Sequence, residues 1–268
     1  VSRQNILSAI IGIIPLSYIL GSFILNLNVL IIIIIGSFLY IEGKRFKINI
    51  FDKLILIFFS YVLLTGIINT IELSLNENIK LNDYTIIIKS FLFLRYLLLY
   101  LSIRILIYND LLNFKNIFFF FSLASIFVSL DVIFQFFNGK NLFGLTSPYL
   151  RKTTGVFYDE AIAGGFIQRF SLFAFFLLAT ITSIKKNNIK IFILSLIFLV
   201  TLMSIIFSGN RMPLVLFVMS IILIVIYNET LKKYFLRIIA SMILICLVII
   251  NYNPLLKDYY RNFYQETK

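Results

Sequence analysis

The sequence predicts an all-α fold, a polytopic helical bundle embedded in a membrane. Three observations predict it. Of the 268 residues, 60% are hydrophobic and 13% charged, against roughly 45–50% and about 25% in soluble domains. Mean hydropathy is +0.99. The apolar residues form continuous runs, not the short alternating strands of a transmembrane barrel.

A helix needs about 20 apolar residues to cross about 30 Å of hydrocarbon. On that measure about nine crossings are expected, at 5–24, 27–41, 54–70, 84–107, 116–137, 161–184, 190–207, 213–227 and 236–251. Neither an internal repeat nor a second soluble domain interrupts them, so 1–268 reads as a single transmembrane domain. The opening helix is expected to stay with the chain: no small-x-small cleavage site follows it, and a second apolar run comes at once. The polar run 252–268 is expected to begin a periplasmic segment that continues past Lys268.

Charge placement gives the expected orientation. With the N-terminus in the cytoplasm, the cytoplasmic segments hold 13 cations against four acids, and the outer segments hold eight against seven. The loops then alternate in charge between the two sides, as the positive-inside rule expects. The net charge of +12 is accounted for as a topology signal, and no nucleic-acid partner is expected. Cys246 stands alone in an apolar stretch, so no disulfide framework is expected. The chain has no His, which removes the commonest zinc ligand and the usual neutral-pH base.

The four charges outside those two tallies, Lys89, Arg95, Asp131 and Arg169, fall inside helices. At about 1.5 Å per residue, Lys89 and Arg169 lie roughly 8–14 Å inside the outer boundary. Asp131 and Gln135 share one helix face by their i, i+4 spacing. Charges at membrane depth are costly and mark functional sites by default. Two readings stand side by side. Asp131 pairs with Arg95, Lys89 or Arg169 to fix packing, or Asp131 and Gln135 floor an outward-facing cavity.

The polar stretch between Asp131 and Arg169 contains two further candidate groups. Asp159 and Glu160 precede a helix whose N-terminus favours negative charge; capping and chemistry both fit them. Ala161, Ala163, Gly164 and Gly165 allow close helix approach. Arg151 and Lys152 break the charge rule on the outer side, which points to a fixed anion. Farther on, Ser208-Gly209-Asn210-Arg211-Met212-Pro213 joins two helices expected to reach only about 23–26 Å, so the turn is expected to be recessed. Arg211 then sits at a helix N-terminus that already favours anions, and its planar fork suits phosphate oxygens. The alternative is an arginine snorkelling to water. Together, outward arginines with no soluble anion-binding domain point to a lipid-linked phosphate or diphosphate.

Several pieces resemble the O-antigen ligase and O-antigen polymerase family of bacterial inner membranes. They are Asp131-x-x-x-Gln135, Asn141-Leu-Phe-Gly144, Arg151-x-x-x-Gly155-Val-Phe-x-Asp159-Glu160-x-Ile-Ala-Gly164 and Ser208-Gly209-Asn210-Arg211. Pro15-Leu-Ser and the close pairing of the first two helices fit as well. The resemblance implies a metal-independent glycosyltransferase without a cofactor, acting at the periplasmic face. The donor would be a glycan on undecaprenyl diphosphate; the acceptor, lipid A–core or the next lipid-linked repeat. Arg211 would take the family's role of neutralising the diphosphate, with Arg151 as a second such cation. Asp159 and Glu160 would orient these arginines or the acceptor. Asp131, Gln135, Arg169, Arg95 and Lys89 would line the substrate cavity.

The chain departs from the family in two places. Family ligases use a histidine in a large periplasmic segment near the C-terminus, so the base is expected outside these residues. Asn210 stands where an acidic residue is often found. Two other classes remain open: a transporter or flippase of lipid-linked oligosaccharide, which should show matched broken helices near the midplane, and a non-catalytic subunit of a polysaccharide-assembly complex.

Overall fold

A computed structural model describes residues 3–75, 84–149, 152–180 and 187–227. The described residues form helices with no strand beyond one isolated bridge, Lys140 to Thr146. Four described helices are long and apolar enough to cross a membrane: Ser22–Ile41, Ile50–Ile71, Thr85–Tyr108 and Phe114–Asn138. Shorter apolar helical stretches cover Ala163–Leu177, Ser195–Phe207 and Arg211–Ile224. This is the architecture of a helical membrane protein. The expected crossing at 236–251 lies outside the described residues.

The chain divides into two compact units, Val1–Phe114 and Lys115–Lys268. Unit 1 holds α1 (Arg3–Gly12), α2 (Ile14–Ile19), α3 (Ser22–Ile41), α4 (Ile50–Leu75) and α5 (Tyr84–Tyr108). The expected first crossing, 5–24, is a broken helix. Pro15 lacks an N–H and its ring crowds the carbonyl four residues back, and the helix interrupts at Ile13. A turn at Gly21 then starts α3 at Ser22, five residues before the expected 27. Inside this hairpin the buried Asn28 Nδ2 donates to Ser17 Oγ at 3.0 Å.

The long helices of unit 1 pack through residues with almost no side chain. A Cβ added at Gly36 would collide with the Ser102 side chain and backbone, and one at Gly66 with Ser90. The α3–α5 and α4–α5 contacts therefore bring backbones close, the usual way apolar helices associate where lipid is as greasy as leucine. The outward faces carry large exposed side chains such as Leu30, Ile34, Ile57, Leu64 and Leu92, as lipid contact requires.

Unit 2 holds α6 (Phe114–Asn138), α7 (Ala163–Thr180), α8 (Asn187–Phe207) and α9 (Arg211–Tyr227), with a 3₁₀ turn at Gly155–Phe157. An aromatic ladder joins α6 to α7: Phe121 meets Phe170 and Phe173 edge-on at 5.3 and 4.7 Å. Phe157 extends it through Phe166 at 5.4 Å. Helix α8 starts at Asn187 and has 21 residues, about 31 Å at 1.5 Å per residue. Helix α9 is described over 17 residues, up to Tyr227.

Gly36→Val and Gly66→Val are expected to lower thermal stability by about 1–3 kcal/mol through overpacking. The control Ile57→Ala, on an exposed face, should shift it by less than about 0.5 kcal/mol. Unchanged unfolding midpoints for the glycine variants in detergent would remove the close-approach role.

Candidate functional site

The polar segments of unit 2 meet at the end of α6. Asp131 and Gln135 lie on one face, as their spacing predicts, and both are buried. Neither reaches a cation among the described residues. Asp131 Oδ1 accepts the Leu142 N–H at 2.8 Å, and Gln135 Oε1 accepts the Gly155 N–H at 2.7 Å. Within unit 2 the expected pairing of Asp131 with Arg169 is therefore replaced by a peg on the following loop. The physical reason is local: buried irregular backbone must find partners, and these side chains stand one turn apart beneath it.

Asn141 is the hub of that loop. Its Oδ1 accepts the N–H groups of Phe143 and Leu145 at 3.0 and 2.8 Å. Its Nδ2 donates to the Gly155 carbonyl at 2.9 Å. Gly155 has φ 57°, and a Cβ there would meet Val132 Cγ2 at 3.0 Å and Asp131 Oδ2 at 3.1 Å. Only glycine combines that backbone with that proximity. The Asp131 Oδ2 atom and the Thr154 hydroxyl are buried without a hydrogen-bond partner among the described residues.

The α8–α9 turn joins the same assembly. Thr153 Oγ1 donates to the Phe207 carbonyl at 2.8 Å, and Asn210 Nδ2 donates to the Ala161 carbonyl at 3.0 Å. Phe207 stacks on Phe136 of α6 with ring centres 4.0 Å apart. Gly209, at φ 68°, turns the chain out of α8 in the manner of a left-handed helix end. Gly164 lies hard against Ser208 and Asn210, where a Cβ would collide with the Ser208 hydroxyl. Of the small residues expected to allow close approach, Gly164 does so here. Arg211 opens α9 half-buried, beside these contacts.

The other sequence candidates take no part in these contacts. Asp159 and Glu160 are exposed, with no side-chain ion pair among the described residues. Helix α7 starts at Ala163, so neither falls in its first turn. What holds this stretch is the backbone: Tyr149 Oη donates to the Asp159 carbonyl at 2.9 Å. Arg169 is exposed on α7. Lys152 Nζ lies 5.9 Å from the Tyr149 ring centre. Arg151 lies outside the described residues. Lys89 and Arg95 belong to α5 of unit 1. Lys89 is exposed, and Arg95 donates to the Tyr96 hydroxyl at 3.0 Å.

Sequence reading missed a charged cluster in unit 1. Asp52 and Arg104 counted there only as loop charges. In the structure the buried Asp52 carboxylate takes both prongs of Arg104, at 2.9 and 3.0 Å, and the Tyr100 hydroxyl as well. Asn49 and Asp52 also exchange backbone and side-chain hydrogen bonds at 2.8 and 2.9 Å, a reciprocal cap on α4. Two signals carried this information: Asn49-x-x-Asp52 before an apolar run, and the i, i+4 pair Tyr100 and Arg104.

The peg role of Asp131 makes a distinct prediction. Asp131→Asn keeps an acceptor for Leu142 and should leave the loop protected from limited proteolysis. Asp131→Leu strands a buried N–H, at a cost of about 1–3 kcal/mol, and should open the segment 139–149 to cleavage. Equal cleavage of both variants would show that the carboxylate acts by its charge instead.

The chain matches no protein-family model, no curated protein and no solved structure.

Proposed function

We propose that this chain is a membrane glycosyltransferase that takes a glycan from undecaprenyl diphosphate at the periplasmic face of the bacterial inner membrane. It acts as an O-antigen ligase, with lipid A–core as acceptor, or as an O-antigen polymerase, with the next lipid-linked repeat. In this reading the chain makes about nine crossings with its N-terminus in the cytoplasm, and the loop 138–160 faces the periplasm.

One observation carries the reading. The stretches that resemble the family are far apart in sequence, yet they interlock. Asp131 and Gln135 hold the loop at Leu142 and Gly155. Thr153 and Ala161 hold the turn at Phe207 and Asn210. Arg211 follows directly on that turn, at the head of α9. A guanidinium fixed there is suited to a diphosphate leaving group, because charge stabilisation by a prepositioned group needs no reorganisation during transfer. Arginine can also hold two phosphate oxygens at once.

The same pegs favour a second reading. Asp131 and Gln135 direct their polar atoms at loop backbone, which a non-catalytic subunit of an assembly complex would need equally.

Arg211→Ala separates the two. The variant is expected to remain in the membrane fraction and to abolish surface polysaccharide in a strain lacking the wild-type gene. Normal polysaccharide would sink the catalytic role; polysaccharide that survives the variant but not the deletion is the mark of a structural subunit. The deletion also sorts the two activities. Loss of a ligase leaves bare core and accumulated lipid-linked polymer, whereas loss of a polymerase leaves core bearing one repeat.

A further inference from the structure

We propose that the linker between α3 and α4 in unit 1 is a docking surface for anionic phospholipid headgroups. The inference rests on α3 and α4 lying in a membrane and is independent of any transferase activity.

The linker is irregular but not loose. The Lys44 N–H reaches the Leu39 carbonyl at 3.0 Å. The Arg45 carbonyl accepts Asn109 Nδ2 at 3.3 Å, and the Lys47 carbonyl accepts Arg104 Nη2 at 3.5 Å. The Asn49 N–H ends on Asp52. The half-buried Phe46 ring lies 5.6 Å from the Arg104 guanidinium. Side chains of α5 thus fix this backbone from within, and the residues between the pinned points face out.

Those residues form a charged surface whose acids are mostly spent. Lys44, Lys47 and Lys53 are exposed, and their side chains make no hydrogen bond or ion pair among the described residues. Glu42 is taken by Arg3 at 3.8 Å, and Asp52 by Arg104. Arg45 donates to the Tyr40 carbonyl at 2.6 Å and stacks on the Tyr40 ring. The linker and the start of α4 thus carry three free lysines, and among the described side chains of unit 1 one exposed carboxylate, Asp110, is free.

The lysines do not stand alone. Ile41, Ile48, Ile50 and Phe51 are exposed among them, Ile41 at 81% and Phe51 at 68%. A nucleic acid or an acidic protein would meet the ammonium groups and leave these side chains in water. A bilayer boundary satisfies both: apolar side chains enter the acyl region while lysines reach the phosphates. The lysines also occupy a rigid backbone, so little ordering is needed when headgroups bind.

The test uses the full chain purified in detergent, titrated with phosphatidylglycerol or phosphatidylcholine and read by native mass spectrometry. Wild type is expected to retain phosphatidylglycerol in preference. Each lysine near an anionic surface contributes roughly fivefold, so Lys44→Gln, Lys47→Gln and Lys53→Gln combined should cost roughly a hundredfold. Circular dichroism should show unchanged helix content, since all three side chains are exposed. An undiminished preference in the triple variant would overturn the proposal, as would displacement of the lipid by an equal concentration of inorganic phosphate. Recovery of the wild-type chain in the soluble fraction would overturn the membrane placement itself. A membrane-bound chain without lipid preference removes only the docking surface.

Discussion

Two hydrogen bonds, Leu142 N–H to Asp131 and Gly155 N–H to Gln135, are the constraint on which the irregular part of unit 2 depends. When a chain leaves a helix, its N–H and C=O groups lose their helical partners, and where they are buried, as at Asn141 and Gly155, they must find others within the protein. Here α6 supplies acceptors from its own last turns, and Asn141 supplies the rest from within the loop. The loop can therefore fold back on the helix that precedes it, close enough that Gly155 touches Asp131 and Val132. Once that fold is set, Thr153 is in reach of Phe207 and Ala161 of Asn210. The position of Arg211 follows from this chain of contacts.

Unit 1 solves the same problem with charge. The linker after α3 is held by Arg104, Asn109 and Asp52. A carboxylate accepting a bidentate guanidinium, a phenol and a backbone N–H has its lone pairs well used. In unit 2 the corresponding groups are an aspartate and two carboxamides, with no cation paired to them among the described residues. The unit 2 frame is built on backbone N–H groups, whereas the Asp52 cluster consumes an arginine.

Much of the fold was legible in the sequence because length and apolar continuity decide it. Expected crossings at 54–70, 84–107 and 116–137 fall within α4, α5 and α6. The first crossing misled because hydropathy registers no backbone breaks: Ile13 and Gly21 interrupt a run that is apolar throughout. The i, i+4 spacing of Asp131 and Gln135 correctly put them on one face. It could not say what they would face, since Leu142 and Gly155 present only backbone, which every residue carries. The cluster of Asp52, Tyr100 and Arg104 was hidden for the opposite reason. Its partners are some 50 positions apart, and each looks ordinary in its own segment.

The Asp52–Arg104 pair also changes how the charge pattern should be read. Both residues count in the cytoplasmic tally from which the orientation is inferred, yet they neutralise one another in the structure. Removing one cation and one acid leaves the asymmetry of that tally intact. What the pairing alters is where the unspent charge sits. Around the α3–α4 linker it concentrates on Lys44, Lys47 and Lys53, because Arg3, Arg45 and Arg104 are already engaged with protein groups. Arginines here build the scaffold and lysines meet the surroundings. That division follows from their chemistry: the planar guanidinium suits fixed bidentate geometry, and the mobile ammonium suits a headgroup layer that has none.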